Sequence, residues 1–259
     1  MSEELVHIEV AGGVATITLD SPANRNALSR ALMGGLEASL EAALNDDRAR
    51  LIVLTHTGPV FCSGADLKEM RGGGQPGKPA GPGGLVTILK TIWRSPKPVI
   101  ARVGGPTRAG GIGLIAACDI AVAVEEATFA FSEVRLGLIP AIISVVVLPK
   151  LGVTKGMELF LTGETFNATE AARFGLINAA VPAEQLDETV AGLVASVLKG
   201  APGALWGCKR LIREVPSMTL DDAFAQTLEW TAEYFGSEEA LEGMTAFAQK
   251  RPPRWAEGK

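Results

Sequence analysis

The sequence predicts an α/β fold, built as one large domain with a helical segment at its carboxyl end. Short apolar runs recur in the first half of the chain, stretches of helical character separate them, and helical patterns fill the chain from about Ala168 onward. The order strand, helix, strand is typical of right-handed βαβ crossovers in a parallel sheet. With 259 residues, the chain is long enough to bury a sizeable core.

The chain opens with a predicted β-hairpin and a helix. Val6 to Val10 and Val14 to Leu19 alternate around Gly12-Gly13, which indicates two antiparallel strands. Asn26 to Ser29 predicts a turn that ends in the N-cap Ser29. A leucine at every fourth position then marks one face of a helix, at Leu32, Leu36, Leu40 and Leu44.

Three apolar runs without polar alternation predict strands that are covered on both faces of the sheet. They are Leu51 to Thr55, Val99 to Val103 and Ile120 to Val124. Between the first two, Arg71 to Gly84 is almost entirely Gly, Pro, Ala and Lys. This composition buries little apolar surface, so we predict a mobile surface loop there.

The carboxyl-terminal part is predicted to be helical. Its expected helices are Glu170 to Phe174, Ala183 to Leu198, Ala204 to Arg213, Leu220 to Phe235 and Glu238 to Lys250. Helices that follow an α/β core often pack on another subunit, which predicts an oligomer. We therefore divide the chain into a core, 1–200, and a helical segment for subunit packing, 201–259.

Composition excludes several classes of function. A formal net charge of −5 disfavours attraction to nucleic acid or an anionic membrane. Cys62, Cys118 and Cys208 are an odd number without paired spacing and without a Cys/His metal pattern, so reduced thiols and no bound metal are expected. The first residues lack the features of a signal peptide, and no apolar run approaches the roughly 20 residues of a membrane span. These features together predict a cytoplasmic protein.

Two glycine motifs resemble nucleotide sites in part only. Gly72 and Gly77-Lys78 match a phosphate loop, but Pro79 stands where Ser or Thr should bind magnesium. Gly111 to Ala116 matches a dinucleotide fingerprint with Glu133 about twenty residues on, but residues 104–108 separate it from the preceding strand. Neither motif supports a nucleotide cofactor.

Two other segments share a design that suits catalysis. In Phe61 to Met70 and in Ala109 to Cys118, a strand ends, small residues follow and a helix begins. Small residues let a ligand approach the backbone, and the first N–H groups of a helix are unpaired donors. Two such helix starts facing each other would form an oxyanion hole.

The same segments resemble the enoyl-CoA hydratase/isomerase (crotonase) superfamily. Phe61 to Met70 is similar to its F-C-x-G-x-D-L-x-E segment, and Lys97 to Ile120 is similar to its K-P-V-I-A…G-G-G…C-D-I segment. Further matches occur in family order at residues 26–29, 136–140, 161–164, 175–178 and 242–251. The resemblance implies a spiral superhelix of ββα units, acyl-CoA thioester substrates with no separate cofactor, and a homotrimer or homohexamer.

The resemblance also implies the site residues. The N–H groups of Ala65 and Gly110 would polarise the thioester carbonyl, and such donors can contribute about 3 to 4 kcal/mol each. Ser63, Asp66 and Leu67 would line the path of coenzyme A. Phe247 and Lys250 would reach a coenzyme A bound mainly by a neighbouring subunit.

The acid–base groups decide which reaction is possible. Hydratases of the family place one glutamate five residues before the cysteine of C-D-I and another fifteen after it, and these positions are Gly113 and Glu133 here. Glu133 is flanked by apolar residues, which should raise its pKa. The alternative for Glu133 is a structural ion pair with an arginine such as Arg135.

Three interpretations of the absent first glutamate remain open. A single glutamate can move a proton between two carbons, as in Δ3,Δ2-enoyl-CoA isomerases of the superfamily. Another side chain or water can replace the carboxylate, because Gly113 is expected to leave empty volume. The third is acyl-CoA binding with weak or no catalysis.

A closer likeness favours hydration. Residues 110–116 and 132–144 are similar to bacterial methylglutaconyl-CoA-type hydratases, which also carry glycine at the first position. Ala141 to Val145 replaces the common G-A-G-G-T, so the acyl pocket should be bulkier and more apolar than usual. Arg108 is a weaker candidate for binding a second substrate carboxylate. Cys62 lacks a histidine base nearby, so it is interpreted as a packing residue rather than a nucleophile.

Overall fold

The computed structural model describes residues 4–66, 68–69 and 84–256. Its strands are β1 (Val6–Ala11), β2 (Val14–Leu19), β3 (Leu51–His56), β4 (Val99–Val103), β5 (Thr107–Arg108), β6 (Ile120–Val124), β7 (Thr128–Ala130), β8 (Phe166–Asn167) and β9 (Ala179–Val181). Its helices are α1 (Arg30–Asn45), α2 (Gly84–Arg94), α3 (Gly110–Ala117), α4 (Ala141–Thr162), α5 (Ala168–Arg173), α6 (Leu186–Leu198), α7 (Pro202–Glu214), α8 (Leu220–Phe235) and α9 (Glu238–Ala248).

The main sheet confirms the predicted hairpin and the parallel crossovers. Its order is β1-β2-β3-β4-β6-β9, with β1 antiparallel to β2 and every other neighbouring pair parallel. The predicted cap is confirmed as well, since the Oγ of Ser29 accepts a hydrogen bond from the N–H of Leu32 at 3.2 Å. The leucine stripe of α1 packs into the core, with Leu32, Leu36 and Leu40 buried.

A second, small sheet has the order β5-β7-β8 and was not expected from the sequence. β5 runs parallel to β7, and β8 pairs with β7 in the antiparallel sense. Strands of two or three residues are too short to show a recognisable alternation. This small sheet nevertheless positions the residues of the candidate site.

Two predictions about element boundaries are wrong. The chain beyond Ala168 is not helical throughout, because β9 pairs in parallel with β6 at the edge of the main sheet. Its residues Ala179–Val181 are too few for a periodic signal. Gly84 does not belong to a loop but begins α2. The remainder of the predicted glycine- and proline-rich loop, 71–83, lies outside the described residues.

Helix α3 forms the centre of the helical layer. All of its residues are buried, and it packs between α2 and α4. Asp119, just after α3, attaches the carboxyl-terminal helices to the core. Its carboxylate accepts from Lys209 at 2.7 Å and Arg213 at 2.6 Å, both on α7, and from the N–H of Val99 at 2.8 Å.

In the part of the chain that the structure describes, no single helix has the length and apolar character needed to cross a membrane. One bent pair, Ala183–Leu198 with Pro202–Ser217, meets these criteria only when its two helices are taken together, and they meet at 106°.

Candidate active site

Three parallel chain segments leave the fold at one edge and carry the predicted catalytic groups. Cys62 forms a parallel bridge with Thr107, and Thr107 is in register with Phe129 across β5 and β7. Ala65 lies three residues after Cys62, and Gly110 lies three residues after Thr107. Glu133 lies four residues after Phe129. The register therefore brings the ends of these three segments to the same edge.

The segment around Ala65 is fixed by backbone contacts on both sides. The carbonyl of Gly64 accepts from the N–H of Leu28 at 2.8 Å, and Ala65 forms a bridge with Leu28. Gly64 has φ +88°, and a Cβ placed on it would lie 3.0 Å from the Cβ of Ala109. A side chain at Gly64 would thus hold apart the two segments that present Ala65 and Gly110.

Gly110 begins α3 directly after a residue with an unusual backbone conformation. Ala109 has φ 47° and ψ −119°, a region that residues with a side chain rarely adopt. Such strain costs about 1 to 3 kcal/mol and occurs mainly where function requires it. Within the described residues, the N–H groups of Ala65 and Gly110 have no hydrogen-bond acceptor. The predicted oxyanion donors are thus free to bind a carbonyl oxygen.

Glu133 lies in a single turn of 3₁₀ helix, Ser132–Leu136. Its Oε2 is buried, and none of the described side chains or backbone groups bonds to it. Burial raises the pKa of the Glu133 carboxyl above its ordinary value, as the apolar flanks predicted. Arg135 does not neutralise it, because Arg135 Nη2 binds Glu164 Oε1 at 2.6 Å. The alternative of a structural pair with Arg135 is therefore wrong.

The expected empty volume beside Gly113 is absent. A Cβ placed on Gly113 would stand 2.5 Å from Cγ2 of Ile143 and 3.0 Å from its Cβ. Ile143, in the first turn of α4, is buried and occupies the space into which a side chain at position 113 would project. Neither a substitute side chain of another residue nor a water molecule has room at this point.

The predicted coenzyme A residues of the first segment are only partly described. The N–H of Ser63 donates to the carbonyl of Arg25 at 3.1 Å. The carboxylate of Asp66 accepts from the side-chain amide of Asn24 at 2.8 Å and from the N–H of Lys68 at 2.9 Å. These bonds lower the pKa of Asp66, with the Asn24 bond as the largest cause. Leu67 lies outside the described residues.

Phe247 lies in the last turn of α9, and Lys250 lies two residues beyond its end. Phe247 is 87% exposed, and the carbonyl oxygen of Phe247 accepts a hydrogen bond from the N–H of Lys250 at 3.1 Å. No hydrogen bond in the described part of the chain joins either residue to the three convergent segments. Their contact with a coenzyme A bound by a neighbouring subunit stays a prediction.

Two weaker candidates from the sequence have structural roles. Arg108 Nη1 donates to the carbonyl of Thr128 at 2.6 Å, and its Nη2 donates to Thr128 Oγ1 at 2.9 Å, so the guanidinium joins β5 to β7. Burial raises the pKa of the Cys62 thiol to about 12, which leaves it protonated near neutral pH. Packing is therefore the better interpretation of Cys62.

Sequence reasoning did not single out two residues that shape the site. Asn26 is fully buried, accepts from the N–H of Ser21 at 2.7 Å, and donates to the carbonyls of Thr57 and Val60. It thereby fixes the loop that contacts Ser63 and Ala65. Ile143 was noted only as part of a bulky pocket, and no local signal in the sequence places it against Gly113.

Comparison with known proteins identifies the family of this chain. A family model described as enoyl-CoA hydratase/isomerase matches residues 9–258. Carnitinyl-CoA dehydratase of Salmonella typhi is 34% identical over 261 residues, covering 98% of this chain and 99% of that protein. An enoyl-CoA hydratase structure from Mycobacterium smegmatis has a TM-score of 0.88 and 32% identity, covering 98% of this chain and 99% of its own.

A second solved structure, an enoyl-CoA hydratase from Shewanella pealeana, has a TM-score of 0.90 and 30% identity, covering 97% of this chain and 96% of its own. The finer likeness to methylglutaconyl-CoA-type hydratases stays a prediction. The chain belongs to the enoyl-CoA hydratase/isomerase family, has the crotonase fold, and is an enzyme of the hydratase (lyase) or isomerase kind.

Proposed function

We propose that this enzyme adds water to the double bond of a 2-enoyl-CoA thioester, with Glu133 as its single acid–base group. The observation that carries the proposal is the buried, unpartnered Oε2 of Glu133 at the edge where Ala65 and Gly110 end their segments. A carboxyl group that burial shifts toward the working pH can both accept and return a proton.

The oxyanion donors act first in this reaction. The N–H groups of Ala65 and Gly110 bind the thioester carbonyl oxygen and draw electrons from the double bond toward it. Because Gly64 and Ala109 hold these donors in fixed backbone conformations, little reorganisation is needed as negative charge develops. The carbon β to the carbonyl then becomes open to attack by water.

Glu133 alone can complete the proton transfers. Its carboxylate accepts one proton from water as the water oxygen bonds to the β carbon, which leaves an enolate on the thioester. The protonated Glu133 then donates that proton to the α carbon, and the enolate electrons form the new C–H bond. Water has been added, and Glu133 returns to its starting state.

Hydration is favoured over isomerisation by the relatives. Proteins with 32% and 34% identity across nearly the whole chain are named enoyl-CoA hydratase and carnitinyl-CoA dehydratase, names that denote addition or removal of water. Isomerisation of a 3-enoyl-CoA to a 2-enoyl-CoA is the second candidate. The observation in its favour is Ile143, which excludes a second carboxylate beside Gly113.

One experiment separates these reactions and the third possibility, acyl-CoA binding without catalysis. The purified protein is given crotonyl-CoA in one assay and 3-hexenoyl-CoA in ¹⁸O-labelled water in another. Hydration predicts loss of the crotonyl-CoA absorbance, whereas an isomerase forms 2-hexenoyl-CoA without ¹⁸O. If the protein turns over neither substrate while coenzyme A thioesters raise its Tm, the binding alternative is correct.

The substitution Glu133→Gln tests the assigned group. It keeps the shape of the side chain but removes proton transfer, so kcat should fall by roughly 10² to 10⁴. Glu164→Gln is the matched control, because Glu164 is exposed and its ion pair among the described residues is with Arg135, near Glu133. Full activity of Glu133→Gln would show that another group transfers the proton.

A further inference from the structure

The side chain of Ile143 lies against two residues of neighbouring helices. Its Cγ2 is 2.5 Å from the position that a Cβ on Gly113 would take, and Cδ1 of Leu89 on α2 is 3.6 Å from the same position. Ile143 and Leu89 are 3% and 4% exposed. Non-bonded carbon atoms pack at about 3.5 to 4 Å, so the glycine at 113 is what allows Ile143 to fit.

Gly113 is one turn beyond the oxyanion donor Gly110 on α3. Positions three apart lie on one helix face, and three residues advance about 4.5 Å along the axis. Beside Gly110, a Cβ would meet Leu28 Cδ1 at 2.6 Å and Leu85 Cδ2 at 3.3 Å. The helix face that starts at the Gly110 N–H is therefore bordered by hydrocarbon, and Ile143 closes it one turn further.

We propose that Ile143 determines acyl-chain specificity by filling the space beside Gly113 and forming the wall at which the acyl site ends. This inference rests on the proposed function, because it takes the thioester carbonyl to bind at Ala65 and Gly110. An acyl chain that extends from this carbonyl along α3 meets the Ile143 side chain. A smaller residue at 143 makes the pocket longer.

The kinetic test compares two substrates of different chain length. Ile143→Ala should raise the ratio of kcat/KM for 2-octenoyl-CoA to that for crotonyl-CoA by at least about tenfold over the unmodified enzyme, since one methylene group in a hydrophobic pocket changes such ratios by about 10- to 200-fold. The control is Ile142→Ala, which truncates the adjacent, 47% exposed isoleucine and should leave the ratio within about twofold. An unchanged ratio in Ile143→Ala overturns the inference.

A binding test separates this inference from the proposed function. Butyryl-CoA and octanoyl-CoA have no double bond, so calorimetry measures their Kd values without turnover. Ile143→Ala should raise the ratio of the Kd for butyryl-CoA to the Kd for octanoyl-CoA by a similar factor. If this ratio shifts but the unmodified enzyme turns over neither enoyl-CoA, the proposed reaction is wrong, but Ile143 does limit the length of the acyl site. If turnover is found and neither ratio shifts, the wall is wrong.

A double-mutant cycle checks the packing itself. Gly113→Ala should lower the Tm of the unmodified protein but raise it in the Ile143→Ala background, because alanine favours helix once the space is free. Gly34→Ala is the control, because no atom lies within 4 Å of a Cβ placed on this helical glycine. It should raise the Tm of both the unmodified protein and the Ile143→Ala variant.

The inference stays testable if Ile143→Ala does not fold. Ile143→Leu keeps the volume of the side chain while removing the Cγ2 methyl group, so it is the second background. The contact would be contradicted if Gly113→Ala changed the Tm equally with isoleucine, alanine and leucine at position 143.

Discussion

At the scale of single residues, the burial of the Glu133 carboxyl, which suits the proposed proton transfer, also has a cost to stability. Burial raises its pKa in the folded protein above the value of about 4.3 that an unfolded chain has. The folded state therefore binds a proton at this group more readily than the unfolded state does. The group stabilises the fold below about pH 4 and loses this contribution as the pH rises through its folded pKa.

It follows that Glu133→Gln should be more stable than the unmodified protein at pH 8. We expect a higher Tm for the variant at pH 8, and the difference should disappear as the pH falls toward 4 and the Glu133 carboxyl becomes protonated. Thermal unfolding of the two proteins from pH 4 to pH 8 measures this. A variant that is less stable at pH 8 would mean that the carboxylate has a stabilising partner.

At the scale of secondary-structure elements, Asp119 is the main link between α3 and α7. It binds two cations, Lys209 and Arg213, whose pKa values burial lowers. Arg213 also lies 4.2 Å from the ring of Trp93 on α2. Asp119 and Arg213 are largely buried and Lys209 is buried, so the carboxylate cannot be removed without leaving two poorly solvated charges unpaired.

Asp119→Asn should therefore lower the free energy of unfolding by about 3 to 5 kcal/mol. The matched control is Asp187→Asn, because Asp187 also pairs with an arginine, Arg102 at 2.6 Å, but is 80% exposed. Exposed pairs contribute about 0 to 1 kcal/mol. Urea unfolding of both variants checks this, and equal losses would contradict the role given to Asp119.

The elements also show why prediction from the sequence worked where it did. β3, β4 and β6 were predicted because a run of five or six residues, most of them apolar, is visible in the sequence without knowledge of the neighbouring strands. β5 and β7 were not predicted, since Thr107–Arg108 and Thr128–Ala130 become strands only through pairing with each other and with Cys62. Pairing between distant segments leaves no local pattern.

The candidate site divides in the same way. Glu133 and the small residues before α3 were recognisable from local motifs. The position of Ile143 against Gly113 was not, because thirty residues separate them in the chain and only the packing of α4 on α3 brings them together. The strained conformation of Ala109 was also hidden, since alanine gives no sign of a positive φ.

At the scale of the whole molecule, large apolar side chains remain exposed along α8. Leu220, Phe224, Leu228 and Phe235 are each about 70% exposed. Three of them are spaced by four residues, so they form one stripe on the helix. Isolated apolar residues are common on surfaces, but a continuous stripe indicates an interaction surface. The predicted subunit packing of 201–259 stays a prediction, and this stripe is the surface on which to test it.

The assembly prediction can be tested on this stripe. Combining Phe224→Asp with Leu228→Asp should shift the mass measured by light scattering from a trimer or hexamer toward a monomer, because burying two carboxylates in an apolar interface is unfavourable. Ala225→Asp adds a charge to the same helix beside the stripe and is the control. A monomeric unmodified protein would contradict the oligomer prediction.

The contact between Gly113 and Ile143 also constrains how such a site can change over time. A glutamate at position 113 collides with Ile143 as long as the isoleucine is present. Small residues at 143 are compatible with either residue at 113, apart from the cost of a cavity. The order of substitutions is therefore fixed. A smaller residue must replace Ile143 before a glutamate can replace Gly113. A lineage that carries this pair retains one acid–base group until that first step has occurred.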